Sequence, residues 1–342
     1  MSDVHPWNHA LWGSLGLPER PPAAALLLSG PKGVGKGAFA SHLARALLCL
    51  QPKEDGQGCG DCQSCRLYEA GNHPDFRRLQ EGAGDEGEGD SAEAEGSKGR
   101  PSVASRWIRV EQVRELAELL TLRAHLGHRR VVLIDPADRL HVSAANALLK
   151  TLEEPPSDAH FILVTDSPSR LPATVLSRCT RLQFALPARD QAIAWLQAEG
   201  STNPQLALVQ AGFAPLRARD LDMSDYWSRR ERLIRQVLAT GDFDPLAASE
   251  RTAGEDLAFL VGSLQRWCYD LVLLRFTREI RYNPDCAQVL HRLADRLNLP
   301  RLLRYFGELQ SIARFLDHPL NSRLVAERCL IGYKRAVHQP EP

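Results

Sequence analysis

Net charge is what the 342-residue chain lacks first: 42 lysines and arginines stand against 42 aspartates and glutamates. A surface that coats nucleic acid through general basicity is thereby not indicated, and any contact with DNA has to be local. Also missing is an uninterrupted apolar run of the roughly 20 residues that a bilayer-crossing helix needs. The opening MSDVHPWNHALWG has no basic start followed by an apolar stretch, which sets the expectation of a cytoplasmic protein without membrane contact. Internal repeats are absent. What is present is 44% hydrophobic residues, enough for two or three domains with their own cores and incompatible with disorder throughout. The eight cysteines, in a reducing compartment, are expected to be buried, reactive or metal-bound rather than joined as a disulfide framework.

Along the chain, residues 25–29 form a short apolar run, GPKGVGKG follows, and Phe39, Leu43, Leu47 and Leu48 then recur with helical spacing. This predicts strand, glycine loop and helix. Residues 76–79, after the turn-like His73-Pro74-Asp75, read as a further strand. Residues 81–106 are almost without apolar side chains and rich in Gly, Glu and Ser, which predicts a disordered acidic insertion. A helix is predicted over 108–122. Then comes the block RVVLIDPADRLHVSAANALLKTLEEPPSDAHFILVTDSPSRLPATVLSRCTRL over 130–182. Its apolar run at 131–134 suits an inner parallel strand with Asp135 at its carboxyl end, where a P-loop fold holds its magnesium acid. Helix formers at 144–152, closed by Glu153, Glu154 and two prolines, precede a second inner strand at 160–164 that delivers Thr165 and Asp166 to the ligand edge. Beyond Leu186-Pro187 the alternation stops and apolar stripes at helical spacing, such as Leu257, Leu260, Leu264, Trp267 and Leu271, predict a bundle.

Cys59, Cys62 and Cys65 are spaced C-x2-C-x2-C, and Cys49 ends the preceding helix. Four thiolates in such a set suit tetrahedral zinc at about 2.3 Å, with Gly58 and Gly60 supplying the turns. An iron–sulfur cluster, or free buried thiols, remains open on spacing alone. Cys179, Cys268, Cys286 and Cys329 are scattered and read as core thiols. In a phosphate-binding loop Gly30, Gly33 and Gly35 would free backbone N–H groups for phosphate and Lys36 would reach the terminal phosphate. Gly37 stands where a Ser or Thr should ligate magnesium, and Pro136 follows Asp135 where an acid should activate water. Binding of ATP and magnesium is thus open, and efficient hydrolysis is not expected.

The words SAANALLKTLEEPP and SRC, with His5-Pro6-Trp7, AGNHPDF, VEQVREL and NSRLVAERCLI, make the chain resemble the clamp-loader branch of the AAA+ proteins in bacterial DNA polymerase III. The resemblance covers nearly everything but the acidic insertion. It implies an α/β P-loop domain with a parallel sheet over 1–186, carrying a zinc module at 49–65, then a small helical lid at 187–225 and an all-α collar at 226–342. It further implies Thr165 as a polar sensor, Arg217 in GFAPLRA as the lid arginine, and Arg178 of the SRC triplet as a finger reaching ATP on a neighbouring subunit. The implied partners are gamma or tau and delta in a ring of five, with the sliding clamp and primed DNA reached through the complex. Gly37, Pro136 and the short stretch after the collar set the chain apart from the ATP-hydrolysing gamma and tau type.

Overall fold

The computed structural model describes residues 4–20, 22–81, 107–120, 124–127, 129–252, 256–316 and 321–338. The disorder expected over 81–106 falls, from 82 on, outside the described residues. Two compact units divide the chain, Met1–Ala188 and Arg189–Pro342.

The first unit is built on five strands, β1 (Ala25–Ser29), β2 (Phe76–Leu79), β3 (Arg130–Ile134), β4 (Ala159–Thr165) and β5 (Thr180–Gln183), in the order β2-β3-β4-β1-β5. Every pairing is parallel. The three inner strands are buried along their whole length, as continuous apolar runs require, whereas the edges FRRL and TRLQ are largely exposed. Among the described residues six α-helices accompany the sheet: α1 (His9–Ser14), α2 (Lys36–Leu48), α3 (Gln63–Glu69), α4 (Val110–Leu119), α5 (Val142–Glu153) and α6 (Ala173–Leu176). Strand side chains alternate between two faces, and the two cores follow that alternation. Leu26, Leu28, Val131, Leu133, Ile162 and Val164 pack with Phe39, Leu43 and Leu47 of α2. Leu27, Val132, Ile134, Phe161 and Leu163 pack with Val113 and Leu116 of α4 and Leu148 and Leu152 of α5. Ile108, predicted as helical, instead forms a parallel bridge with Leu140.

The second unit is entirely helical among its described residues. α7 (Arg189–Ala198), α8 (Pro204–Gln210) and α9 (Pro215–Asp222) share a small core of Ala192, Leu196, Ala207, Leu208 and Ala218. α10 (Tyr226–Leu233), α11 (Pro245–Thr252), α12 (Leu257–Thr277), α13 (Ala287–Ala294), α14 (Leu299–Ala313) and α15 (Ser322–Tyr333) form a larger bundle. One expectation is corrected here: α12 is long and apolar enough, by length and composition, to cross a membrane. Arg266, Asp270 and Arg275 interrupt its apolar run in the sequence. In the fold Leu264, Trp267 and Leu271 of α12 are fully buried in the bundle. The buried Asp270 carboxylate accepts hydrogen bonds from the backbone N–H groups of Arg281, Tyr282 and Asn283, which ties the turn after α12 back onto the helix.

Candidate functional site

The loop between β1 and α2 takes the phosphate-loop path. Gly33 and Gly35 have φ of 85° and 91°, a region that glycine alone enters without strain. A Cβ at Gly35 would also lie 2.4 Å from His5 Cδ2. The chain start therefore presses directly on the loop, and it is fastened there: Trp7 Nε1 and Asn8 Nδ2 both donate to the Val34 carbonyl, at 2.9 and 3.0 Å. Lys36 does not reach toward open space. Its ammonium, on a side chain only 3% exposed, donates to the carbonyls of Gly30 (2.8 Å) and Pro31 (2.7 Å) and to Asp166 Oδ1 (2.6 Å). All three N–H donors of a lysine are thereby used.

Asp135 ends β3 beside this loop. A Cβ added at Gly37 would sit 3.1 Å from its Oδ2, so the missing hydroxyl belongs where the magnesium acid stands. The same Oδ2 accepts a hydrogen bond from Arg78 of β2 at 3.3 Å. Burial raises the Asp135 pKa, against the pull of Arg78. Thr165, fully buried at the end of β4, donates to Asp138 Oδ1 at 2.8 Å and accepts from the Ser167 N–H at 3.0 Å. Asp138 is thus occupied as the acceptor of Thr165. Taken together, the lysine, the acid and the sensor hydroxyl each have a protein partner that ATP with magnesium would have to displace. Arg217 lies exposed on α9, in the second unit.

Arg178 follows α6 at the edge of the first unit. Its NH1 donates to the Thr174 carbonyl at 2.9 Å and its NH2 to Glu153, at the last turn of α5. The side chain keeps about a third of its surface exposed. A guanidinium in that state is held but accessible, and it can exchange one oxyanion partner for another.

The four predicted cysteines come together. Cys49 Sγ is 3.6 Å from Cys59 Sγ and 3.9 Å from Cys62 Sγ, and Cys59 Sγ is 4.0 Å from Cys65 Sγ. All four sulfurs lie within 4.8 Å of one another. A tetrahedral centre with bonds of about 2.3 Å has sulfur–sulfur edges of about 3.8 Å, so the set fits one ion. Backbone N–H groups of Cys59, Cys62 and Cys65 donate to the sulfurs of Cys49, Cys59 and Cys62 at 3.3, 3.3 and 3.4 Å, which favours thiolates. At Cys62 burial pushes the pKa up, but hydrogen bonds from the backbone of Cys65 and Leu50 and from the other thiols outweigh it, and the value falls to about 6. Burial raises Cys49 and Cys65. Among the other cysteines, Cys179, Cys268 and Cys329 are buried and Cys286 is half-buried.

Sequence reasoning passed over the residues that hold this module to the sheet. His73 Nδ1 accepts the Asp75 N–H at 3.1 Å, so Nε2 carries the proton and donates to Ser64 Oγ at 2.8 Å, which donates to the Leu48 carbonyl at 2.6 Å. The Asp75 carboxylate accepts from the N–H groups of His125 and Leu126 at 2.7 and 2.9 Å. The only signal was the NHPDF word itself, which read as a turn.

A sequence profile for the family described as "DNA polymerase III, delta subunit" matches residues 18–188. DNA polymerase III subunit delta' of Pseudomonas aeruginosa is 37% identical over 270 residues, 76% of this chain and 75% of that protein. Its counterpart in Escherichia coli is 37% identical over 233 residues, 66% of this chain and 63% of that protein. The tau/gamma subunit of Haemophilus influenzae, also 37% identical, aligns over 167 residues, 49% of this chain and 20% of that protein. A solved gamma-subunit-related protein of Thermotoga maritima covers 96% of this chain and 99% of its own, at 17% identity and a TM-score of 0.44, a likeness too loose to argue from. The profile ends where the first unit ends and the delta-prime relatives align well beyond it, so the chain belongs to the delta-prime family of DNA polymerase III subunits.

Proposed function

We propose that this chain serves in the clamp loader of DNA polymerase III as a subunit that turns over no ATP itself and lends Arg178 to ATP bound by a neighbouring gamma or tau subunit. The observation that carries the reading is the pairing of a closed site with an open one. Lys36 is fully engaged by Gly30, Pro31 and Asp166, while Arg178 stays partly exposed on a carboxylate it can leave. Planar guanidinium groups brought in from a neighbour stabilise the charge of a transferring phosphoryl group. In the same reading residues 187–225 form the lid and 226–342 the collar that joins this chain to gamma or tau and delta in a ring of five. The ring opens the sliding clamp and sets it on primed DNA in the cytoplasm. The four thiolates hold structural zinc, because a closed tetrahedral set without a vacant position suits a folding role rather than chemistry.

The test is reconstitution with the other loader subunits. Arg178→Ala should leave assembly intact by gel filtration and lower DNA-stimulated ATP hydrolysis only in part, since one of several sites loses a finger worth about 10³-fold or more. The chain alone should release no phosphate from ATP. Unaltered ATPase and clamp loading in an assembled Arg178→Ala complex would refute the role of Arg178, and robust turnover by the lone chain, abolished by Lys36→Ala, would refute the closed site.

A further inference from the structure

We propose that a cationic groove in the second unit seats the sugar-phosphate backbone of a single DNA strand, a direct contact beyond the role proposed above. The groove, about 410 Å³, is lined by Arg301, Arg304, Tyr305 and Glu308 of α14, Gly332 of α15 and Arg335 just after it. Its floor is firm. Tyr305 is buried and donates to the Cys329 carbonyl at 2.7 Å. A Cβ at Gly332 would lie 2.7 Å from the Tyr305 ring, so glycine is what lets the two helices approach and share this concavity.

Some arginines of the chain have carboxylates, as Arg45 has Glu69, Arg78 has Asp135, Arg130 has Asp158, Arg230 has Asp285 and Arg323 has Glu250. Others, such as Arg189 and Arg292, have none among the described residues, so it is the gathering of three around one hollow that sets the groove apart. Arg301, Arg304 and Arg335 make no ion pair and no side-chain hydrogen bond among the described residues. Against them stands one acid, Glu308, which leaves the lining with a net charge of +2. Three unpaired guanidinium forks around one hollow in a chain of zero net charge call for an oxyanion partner.

Two features select a strand over a lone phosphate or an acidic peptide. Arg301 and Arg304 are one turn apart on a helix face, about 5–6 Å between Cβ atoms, a separation that successive phosphates on one strand can meet. The hollow exceeds a single phosphate and falls far short of a duplex. An acidic peptide would need apolar contact beside its carboxylates, and Gly332 and the buried Tyr305 offer little. With no aromatic face exposed in the lining, bases cannot stack, and binding should be indifferent to sequence.

Fluorescence anisotropy with the full-length protein and a labelled oligothymidylate tests this. Wild type should bind, and Arg301→Ala/Arg304→Ala/Arg335→Ala should bind at least 10-fold more weakly at low salt. The slope of log K against log salt should fall by about two units, at about 0.7 per phosphate contact for single strands. A charge-matched control, Arg189→Ala/Arg292→Ala/Arg314→Ala, should keep most of the affinity and slope. Should the triple exchange disturb folding by circular dichroism, Arg304→Ala and Arg335→Ala alone, both at exposed residues, should each remove about one third of the slope change. No oligonucleotide binding, an equal loss in the control, or displacement by oligoglutamate at lower concentration than by unlabelled oligonucleotide would overturn the proposal.

Discussion

An ammonium with three N–H donors, Lys36 meets three acceptors, and one of them is a carboxylate 130 positions further along the chain. Asp166 is 42% exposed while the lysine is 3% exposed, so solvent screens only one side of the pair, and losing it should cost about 1–2 kcal/mol. Asp166→Asn should therefore lower the melting temperature by several degrees and also release Lys36 for phosphate, so that a fluorescent ATP analogue binds the variant more tightly than wild type. Unchanged melting and unchanged binding would mean that the pair is idle. Gly37→Ser should not restore turnover. The hydroxyl would sit beside Asp135, but Pro136 still offers no base and Lys36 remains engaged, so phosphate release should stay at background. The sequence showed both departures at Gly37 and Pro136, because each is a missing group at a fixed offset in a motif. It could not show Asp166 or Arg78 as partners, since ion pairs across the sheet depend on strand order rather than on spacing. The Glu153 partner of Arg178 was hidden for the same reason, although both residues stand in words that carried the resemblance.

Between α2 and β2 the cysteine module behaves as one element. Its ligands were legible because two-residue gaps bring sulfurs together by local geometry. Its anchors were not, because Ser64, His73 and Asp75 act through contacts that only the fold creates. Purified protein should contain one zinc per chain, and Cys62→Ser should abolish it in elemental analysis. Chelation should raise hydrogen exchange over residues 49–75 and spare β1, β3 and β4, whose packing is supplied by α2, α4 and α5. Burial lowers the His73 pKa from its ordinary value, with Asp75 opposing. A base whose folded pKa is depressed adds stability that is complete above its unfolded value near 6.5 and lost as pH falls through the lower folded value. Protonation also removes Nδ1 as acceptor for the Asp75 N–H. Protection factors at 62–76, with the intrinsic pH dependence of exchange divided out, should thus fall on acidification below about pH 6.5 in wild type, and His73→Gln should show that lower protection already at neutral pH with less further change.

At the scale of the whole molecule, the two units differ in how they were legible. The first carries long motif words, and its inner strands declare themselves as unbroken apolar runs. The second was read from helical stripes alone, and the stripe that begins at Leu257 runs the 21 residues of α12. The stripes name the core correctly, for Leu264, Trp267 and Leu271 are all fully buried. Each unit holds its own cores, with Leu27, Leu28, Leu133 and Phe161 in the first and the α12 residues with Tyr305 and Tyr333 in the second. Separate cores should melt separately. Leu271→Ala leaves a cavity in the bundle worth about 2–5 kcal/mol, so calorimetry should show one transition moved down and the other unmoved, with zinc content unchanged. Phe161→Ala should move the other transition, by about 3–5 kcal/mol. Residues 1–188 expressed alone should then fold with their zinc and melt where the unaffected transition of Leu271→Ala does. A single transition displaced by either exchange would instead mean that the two cores unfold as one cooperative body, and that the boundary at Ala188 marks a change of architecture without marking an independent folding unit.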